Sequence, residues 1–187
     1  MKIILTLIFL LFFSFYSYSQ SKLEIEERID KENAPLAAQE FIDSLYFSSK
    51  IKWFVEQDYD RKTYEAKTKS EGKKYSIEFD TLGQLEDIEL EIKWKQIPIS
   101  TQHKICQKLN SNFKKHKIKK IQIQYSGNST DLLNLKTTIK NLIIKYEIVL
   151  KGQKKSQTLF YEYLFSEEGD FEQELQFDFR NTDHLEY

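Results

Sequence analysis

Two stretches of the chain alternate apolar and polar residues with a period of two, and each does so on both sides of a turn. In Lys73–Trp94, Tyr75, Ile77 and Phe79 interleave with Lys74, Ser76 and Glu78. Ile88, Leu90, Ile92 and Trp94 then interleave with Glu89, Glu91 and Lys93. This period places one set of side chains on each face of a β-strand. Asp80-Thr81-Leu82-Gly83 supplies the turn, because an Asp carboxylate bonds nearby backbone N–H groups and glycine accepts positive φ. The parity slips between Leu85 and Ile88, which predicts a bulge just after the turn. Leu159–Phe179 repeats the pattern with Tyr161, Tyr163 and Phe165, a turn at Ser166–Gly169, and then Leu175, Phe177 and Phe179. The repetition reads as a duplicated unit.

Between and before these hairpins the periodicity changes. Residues 20–33 are charged and short of core residues, so a lead-in coil or a frayed helical turn is expected. Ala38, Phe41, Ile42 and Leu45 recur at helical spacing over 35–47, after a proline suited to a first helical turn. Strands are predicted around Ile51, Trp53 and Val55 and around Tyr64, Ala66 and Thr68. Pro98 restarts the order: Ser100 is a candidate N-cap, and Ile105, Leu109 and Phe113 line a helix to about Lys115. Strands follow at Ile121–Tyr125 and Ile144–Leu150. Between them Asn128–Asn141 reads as an inserted short helix capped at Ser129 rather than an extended flap. All five glycines, Gly152 included, fall at expected turns. The predicted class is α+β: two tandem units, each one helix plus four antiparallel strands, forming one curved sheet with the helices on one face. The boundaries are 20–33 for the lead-in, 34–96 for the first unit, 97–180 for the second with its insert at 128–141, and 181–187 for the tail.

Residues 1–19 carry Lys2, an apolar run from Ile3 to Phe13, and a small-x-small site at Ser17-Tyr18-Ser19. This is the layout of a secretory signal. The run is short of the roughly 20 residues a spanning helix needs; an uncleaved membrane anchor is the alternative. A periplasmic or secreted protein is expected, without stable membrane insertion after cleavage. With 28 basic and 29 acidic residues interspersed, no basic stripe for nucleic acid stands out. Cys106 is the single cysteine, so an internal disulfide is excluded. Its spacing from Ile105 and Leu109 suggests a partly buried small hydrophobe.

Candidate chemistry is sparse. His103, His116 and His184 have no second ligand at metal-binding spacing, and no metal or cofactor is expected. Cys106 with His103 three residues before it could share a helix face, but catalytic thiols favour helix N-termini or clefts. The carboxylates Glu86, Asp87, Glu89 and Glu91, and Glu167 to Glu174, could pair for glycoside hydrolysis. Their alternation with apolar residues fits a solvated strand face better. The lysines of the run Lys104–Lys120 suit a solvated helix end. The reading is therefore not an enzyme.

The order of Pro35, Ala38, Phe41 and Ile42, then Tyr75, Ile77, Phe79, Asp80 and Gly83, then Ile97-Pro98 resembles the periplasmic PepSY-like family. Its members are also described as β-lactamase-inhibitor-like (BLIP-like) proteins. The second copy keeps Tyr163, Phe165 and Gly169 but lacks the Asp after Phe165. The resemblance implies two helix-plus-four-strand units side by side, no catalytic residues, and a partner held on the open, concave sheet face.

The chain holds 14 Phe, 11 Tyr and 2 Trp. Phe54, Phe160 and Leu164 oppose the core-facing residues of their strands, so they are the candidate partner-binding positions. The expected function is a non-enzymatic, inhibitor-like protein-binding module of the bacterial cell envelope. Its partner would be an unidentified protein or peptide. The alternative is a periplasmic carrier of a small apolar ligand or lipid, held between sheet and helices.

Overall fold

The computed structural model describes residues 20–22, 25–57, 61–135 and 140–177. The expected signal, the 181–187 tail and His184 lie outside them. In chain order the elements are β1 (Gln20–Lys22), β2 (Ile25–Ile29), α1 (Leu36–Ser44), β3 (Lys52–Gln57), β4 (Lys62–Ser70), β5 (Lys73–Phe79) and β6 (Leu85–Glu91). They continue with α2 (Ile99–Asn112), β7 (Lys115–Ser126), α3 (Ser129–Leu133), β8 (Ile143–Lys154), β9 (Gln157–Ser166) and β10 (Phe171–Phe177). Strands β2 to β10 form an antiparallel sheet in sequence order, and β1 adds to β10 in parallel. The α+β class and the antiparallel sheet are as the alternation predicts.

All three helices pack on one face of this sheet. On that face Ala38 and Ile42 of α1 join Trp53, Ala66, Ile77, Phe79 and Ile88 in one core cluster, with Leu132 of α3. Ile105 and Leu109 of α2 join Ile121, Ile148, Tyr161, Tyr163 and Phe165 in a second. Each fully buried large side chain contributes about 1.5–3 kcal/mol, so the helix stripes hold these elements in place far more than their intrinsic propensity does.

Both hairpin turns press on a helix start. Gly83 has φ +80°, and a Cβ there would lie 2.8 Å from the Ala38 nitrogen; Gly169 has φ +87°, and its Cβ would lie 2.9 Å from the Thr101 carbonyl oxygen. Asp80 Oδ1 accepts from the N–H groups of Leu82 and Gln84, both at 2.8 Å. In the second turn Ser166 Oγ accepts instead, from Asp170 N–H at 3.2 Å. A hydroxyl thus does the work of the missing Asp. The expected bulge is present: Glu78 faces Asp87 while Phe79 faces Leu85, leaving Glu86 as the extra residue.

Several expectations need correction. The lead-in is extended: Ile25–Ile29 pairs with β3, with Ile29 against the core and Glu26 and Arg28 on the other face. Strand β6 ends at Glu91, and Trp94–Gln96 forms a 3-10 turn. Pro98, not Ser100, caps α2, and Asn128, not Ser129, caps α3 by accepting from Asp131 N–H at 2.9 Å. The lysines from Lys115 to Lys120 belong to β7 and not to a helix end. Gly152 is a strand residue of β8, not a turn. Cys106 is exposed, because the buried stripe of α2 runs through Thr101, Ile105 and Leu109 and the next residue points away.

The sheet curls strongly. Lys22 pairs with β10 at one end of the strand order, while Ile25 pairs with β3 beside the other end. Those residues are three apart in sequence, so their Cα atoms lie within about 11 Å. A flat ten-strand sheet would separate its outer strands by about 43 Å. Its two ends therefore nearly meet, and the helix-free face is turned inward.

Candidate functional site

The helix-free face reads across the strands by register. Phe54 faces Glu65, Glu65 faces Glu78, and Glu78 faces Asp87. Ser76 faces Glu89, Glu89 faces Gln124, Gln122 faces Glu147, and Glu147 faces Leu164. This face was expected to be an open platform. The curl instead closes its middle to solvent, leaving Glu65 and Asp87 at 8%, Ser76 at 3% and Gln122 at 1% exposure. The sheet is thus buried on both sides, apolar beneath the helices and polar within the curl.

Burial of so many acids requires partners. At the β2–β4 end Lys67 Nζ lies 3.0 Å from Glu26 and 2.8 Å from Glu65. Glu26, Glu56 and Glu65 converge there, with ligand oxygens within 4.8 Å of one another, the only such trio among the described residues. The ammonium takes the position a metal ion would need. Burial alone would lower the Lys67 pKa, but Glu65 and then Glu26 outweigh it, and the group stands above its ordinary value. Ser76 Oγ donates to Glu65, and Arg61 pairs with Glu86 and, at 3.5 Å, with Glu78.

The centre of the strip is less well supplied. Gln124 donates to Asp87 Oδ2 at 3.0 Å, and Gln122 donates to Glu89 Oε2 at 2.6 Å. Lys120 is 3.9 Å from Glu147. Asp87 Oδ1 and Gln122 Oε1 are buried without a hydrogen-bond partner among the described residues. Burial first, then the neighbouring charges of Glu78 and Glu147, pushes the Asp87 carboxyl well above the usual carboxylate range. Burial and then Glu147 and Asp87 do the same to Glu89, while Glu78 is raised by burial against the lowering effect of Arg61.

The three sequence-predicted positions lie around this strip. Phe54 sits on β3, Phe160 and Leu164 on β9, all half-buried on the helix-free face, with β4 to β8 between them in the strand order. Lys67 Nζ lies 4.8 Å from the Phe54 ring and Lys151 Nζ 5.9 Å from the Phe160 ring, within cation–π range. The strip itself was missed in the sequence. Glu65, Glu78, Asp87 and Glu89 alternate with core residues as solvated positions would; the unexplained glutamines Gln122 and Gln124 among isoleucines were the available signal.

A cavity of about 370 Å³ opens elsewhere, between α1 and the β2–β3 strands, with Ile29, Ile42, Ile51 and Trp53 in its lining together with six charged residues. Another polar cluster lies under α2, where Asn112 donates to the Tyr163 hydroxyl at 2.8 Å and Tyr163 and Lys154 both bond Glu174. Every member has a partner, as a structural network requires. His103 is exposed and His116 is half-buried beside Phe113. No described helix is long and apolar enough to cross a membrane.

Comparison with known proteins places the fold. No family model matches the chain, and no curated protein matches it. Among solved structures, a Bacteroides eggerthii protein described as periplasmic aligns with a TM-score of 0.51 and 13% identity, covering 76% of this chain and 88% of that one. A BLIP-like protein of Bacteroides fragilis aligns with a TM-score of 0.49 and 18% identity, over 80% and 89% of the two chains. The likeness to the Bacteroides eggerthii protein is one of fold.

Proposed function

We propose that the protein is a non-enzymatic binding module exported to the bacterial cell envelope, built of two tandem PepSY-like units. It takes a protein or peptide segment on the helix-free sheet face, in the manner of an inhibitor. Phe54 on one side and Phe160 with Leu164 on the other supply apolar contacts at the half-buried margins of that face. The observation that carries this reading is the one-sided placement of α1, α2 and α3, which leaves the other sheet face without a helix and with these three apolar side chains only half-buried.

Photo-crosslinking from the envelope side tests it. A benzoylphenylalanine at position 160 should capture discrete partners from envelope extract, and capture should fall when Phe54 is replaced by Ala. The same probe at Ile99, 71% exposed at the start of α2, should capture none of them. Equal capture from both positions refutes the face assignment. A second reading is the carriage of a small apolar ligand, for which the mixed polar and apolar cavity beside α1 is the available space. Native mass spectrometry of the purified protein would reveal that ligand as a co-purifying mass.

A further inference from the structure

We infer that the edge of β7 over Lys115–Lys120 is a docking site for an acidic segment of another protein, which adds to the sheet there as an extra strand. The inference uses an edge of the sheet and not the face between Phe54 and Phe160, so it stands independently of the reading above. Strand β7 pairs with β8 along its whole length, from Lys115 to Ser126, whereas β6 pairs only with Gln122–Ser126. One further bond follows, from Ile92 N–H to the Ile121 carbonyl at 2.9 Å, and the chain then leaves through the Trp94–Gln96 turn toward α2. Among the described residues no strand lies against the remaining edge of β7. Such an edge offers N–H and C=O groups for pairing with another chain. At about 3.4 Å per residue it spans about 20 Å, the length of an ordinary strand.

The side chains along this edge fix the chemistry of the guest. His116 packs beside the Phe113 ring and Ile118 against the core beneath α2, so Lys115 and Lys117 point to the opposite face. Lys119 is the extra residue of a bulge between Ile118 and Lys120. All three lysines are exposed, and no carboxylate pairs with any of them among the described residues. Lys117 stands directly opposite Lys151 on β8, which is likewise exposed and without an acid. Like charges directly opposed across two strands are unfavourable. Lys120, by contrast, lies 3.9 Å from Glu147 and is already matched. The surplus positive charge therefore sits where strand pairing is also incomplete.

Lysines and a bulge on an edge keep like strands from pairing, which closes this edge to a second copy of itself. They act in the opposite sense on a strand that carries Asp or Glu at alternate positions. Such a strand sets its carboxylates across from Lys115 and Lys117, with Cβ atoms about 4.5–5.5 Å apart, while its backbone takes up the free edge groups. A phospholipid surface answers the charge but makes no use of a row of backbone groups. An acidic extended peptide answers both observations.

The test uses the full chain at low ionic strength. A blocked peptide of alternating glutamate and threonine is titrated by calorimetry, with its lysine–threonine counterpart and phosphatidylglycerol vesicles in parallel. The glutamate peptide should bind saturably and the lysine peptide should not. Lys115→Gln/Lys117→Gln should weaken binding about fivefold to tenfold, as the loss of two exposed ion pairs does. Lys50→Gln/Lys52→Gln, which removes the same charge from exposed positions at the start of β3, should leave it unchanged. Circular dichroism checks that both double variants are folded. Hydrogen exchange on the wild-type protein locates the guest without any substitution: bound peptide should slow amides within Lys115–Lys120 about tenfold or more and leave those of β2 unchanged. Absence of saturable peptide binding, equal affinity in the two double variants, or protection away from this edge overturns the inference. Vesicle binding that Lys115→Gln/Lys117→Gln abolishes, with the peptide unbound, overturns it in favour of a membrane contact.

Discussion

A Cβ placed on Gly152 would lie 2.4 Å from two carbons of the Phe113 ring. Phe113 caps the end of α2 and packs against Tyr161 and Tyr163, at centroid distances of 4.9 and 5.5 Å. The glycine is therefore the socket that lets α2 close onto β8. Gly152→Ala should lower stability by about 1–3 kcal/mol, the usual cost of overpacking. Adding Phe113→Leu should recover part of it, as read from urea midpoints.

Lys67 sits among three acids with its side chain 13% exposed. Lys67→Met removes the charge and leaves Glu26, Glu56 and Glu65 facing one another. A loss of about 3–5 kcal/mol is expected, as for a broken buried pair. Lys67→Met/Glu65→Gln should be less destabilised than the single variant, because one stranded charge is gone. Thermal unfolding of the two proteins side by side checks the order.

The raised carboxyls give a signed pH dependence. A folded-state pKa above the unfolded value means that Glu78, Asp87 and Glu89 bind more protons when folded. Their contribution is complete below the ordinary carboxylate pKa and is lost as pH climbs through the raised folded values. The melting temperature should therefore fall as pH rises above the ordinary carboxylate range. Asp87→Asn/Glu89→Gln should flatten that slope, and melting curves across the range decide it.

Cys106 lies on the outer side of α2. A maleimide should label the native chain to one equivalent without denaturant, and the labelled protein should melt at the wild-type temperature. Slow labelling that speeds up only in urea would return the thiol to the interior.

Much of this architecture was legible because local signals agreed. The hairpin at Asp80–Gly83, the slip that became the Glu86 bulge, and the apolar stripe Ala38–Ile42 each obeyed one physical period. What escaped shares one cause. Alternation shows which residues share a strand face but not whether the polar face meets water. Glu65 and Asp87 thus look like solvated residues until the sheet curls over them. Ile25–Ile29, IEERI, read as a coil or a frayed helical turn for the same reason: Glu26 and Arg28 share the helix-free face, while Ile29 packs against the apolar core. Cys106 and Gly152 failed differently, since one helical step or one neighbouring ring decides whether a small residue is inside, outside or a spacer.

The segment that pairs with both β10 and β3 makes the earliest and latest described strands depend on each other. A chain lacking Phe171–Phe177 would leave β1 without its strand partner. Pairing of β1 must wait until β10 is available, so the approach of the two sheet ends depends on the last described strand.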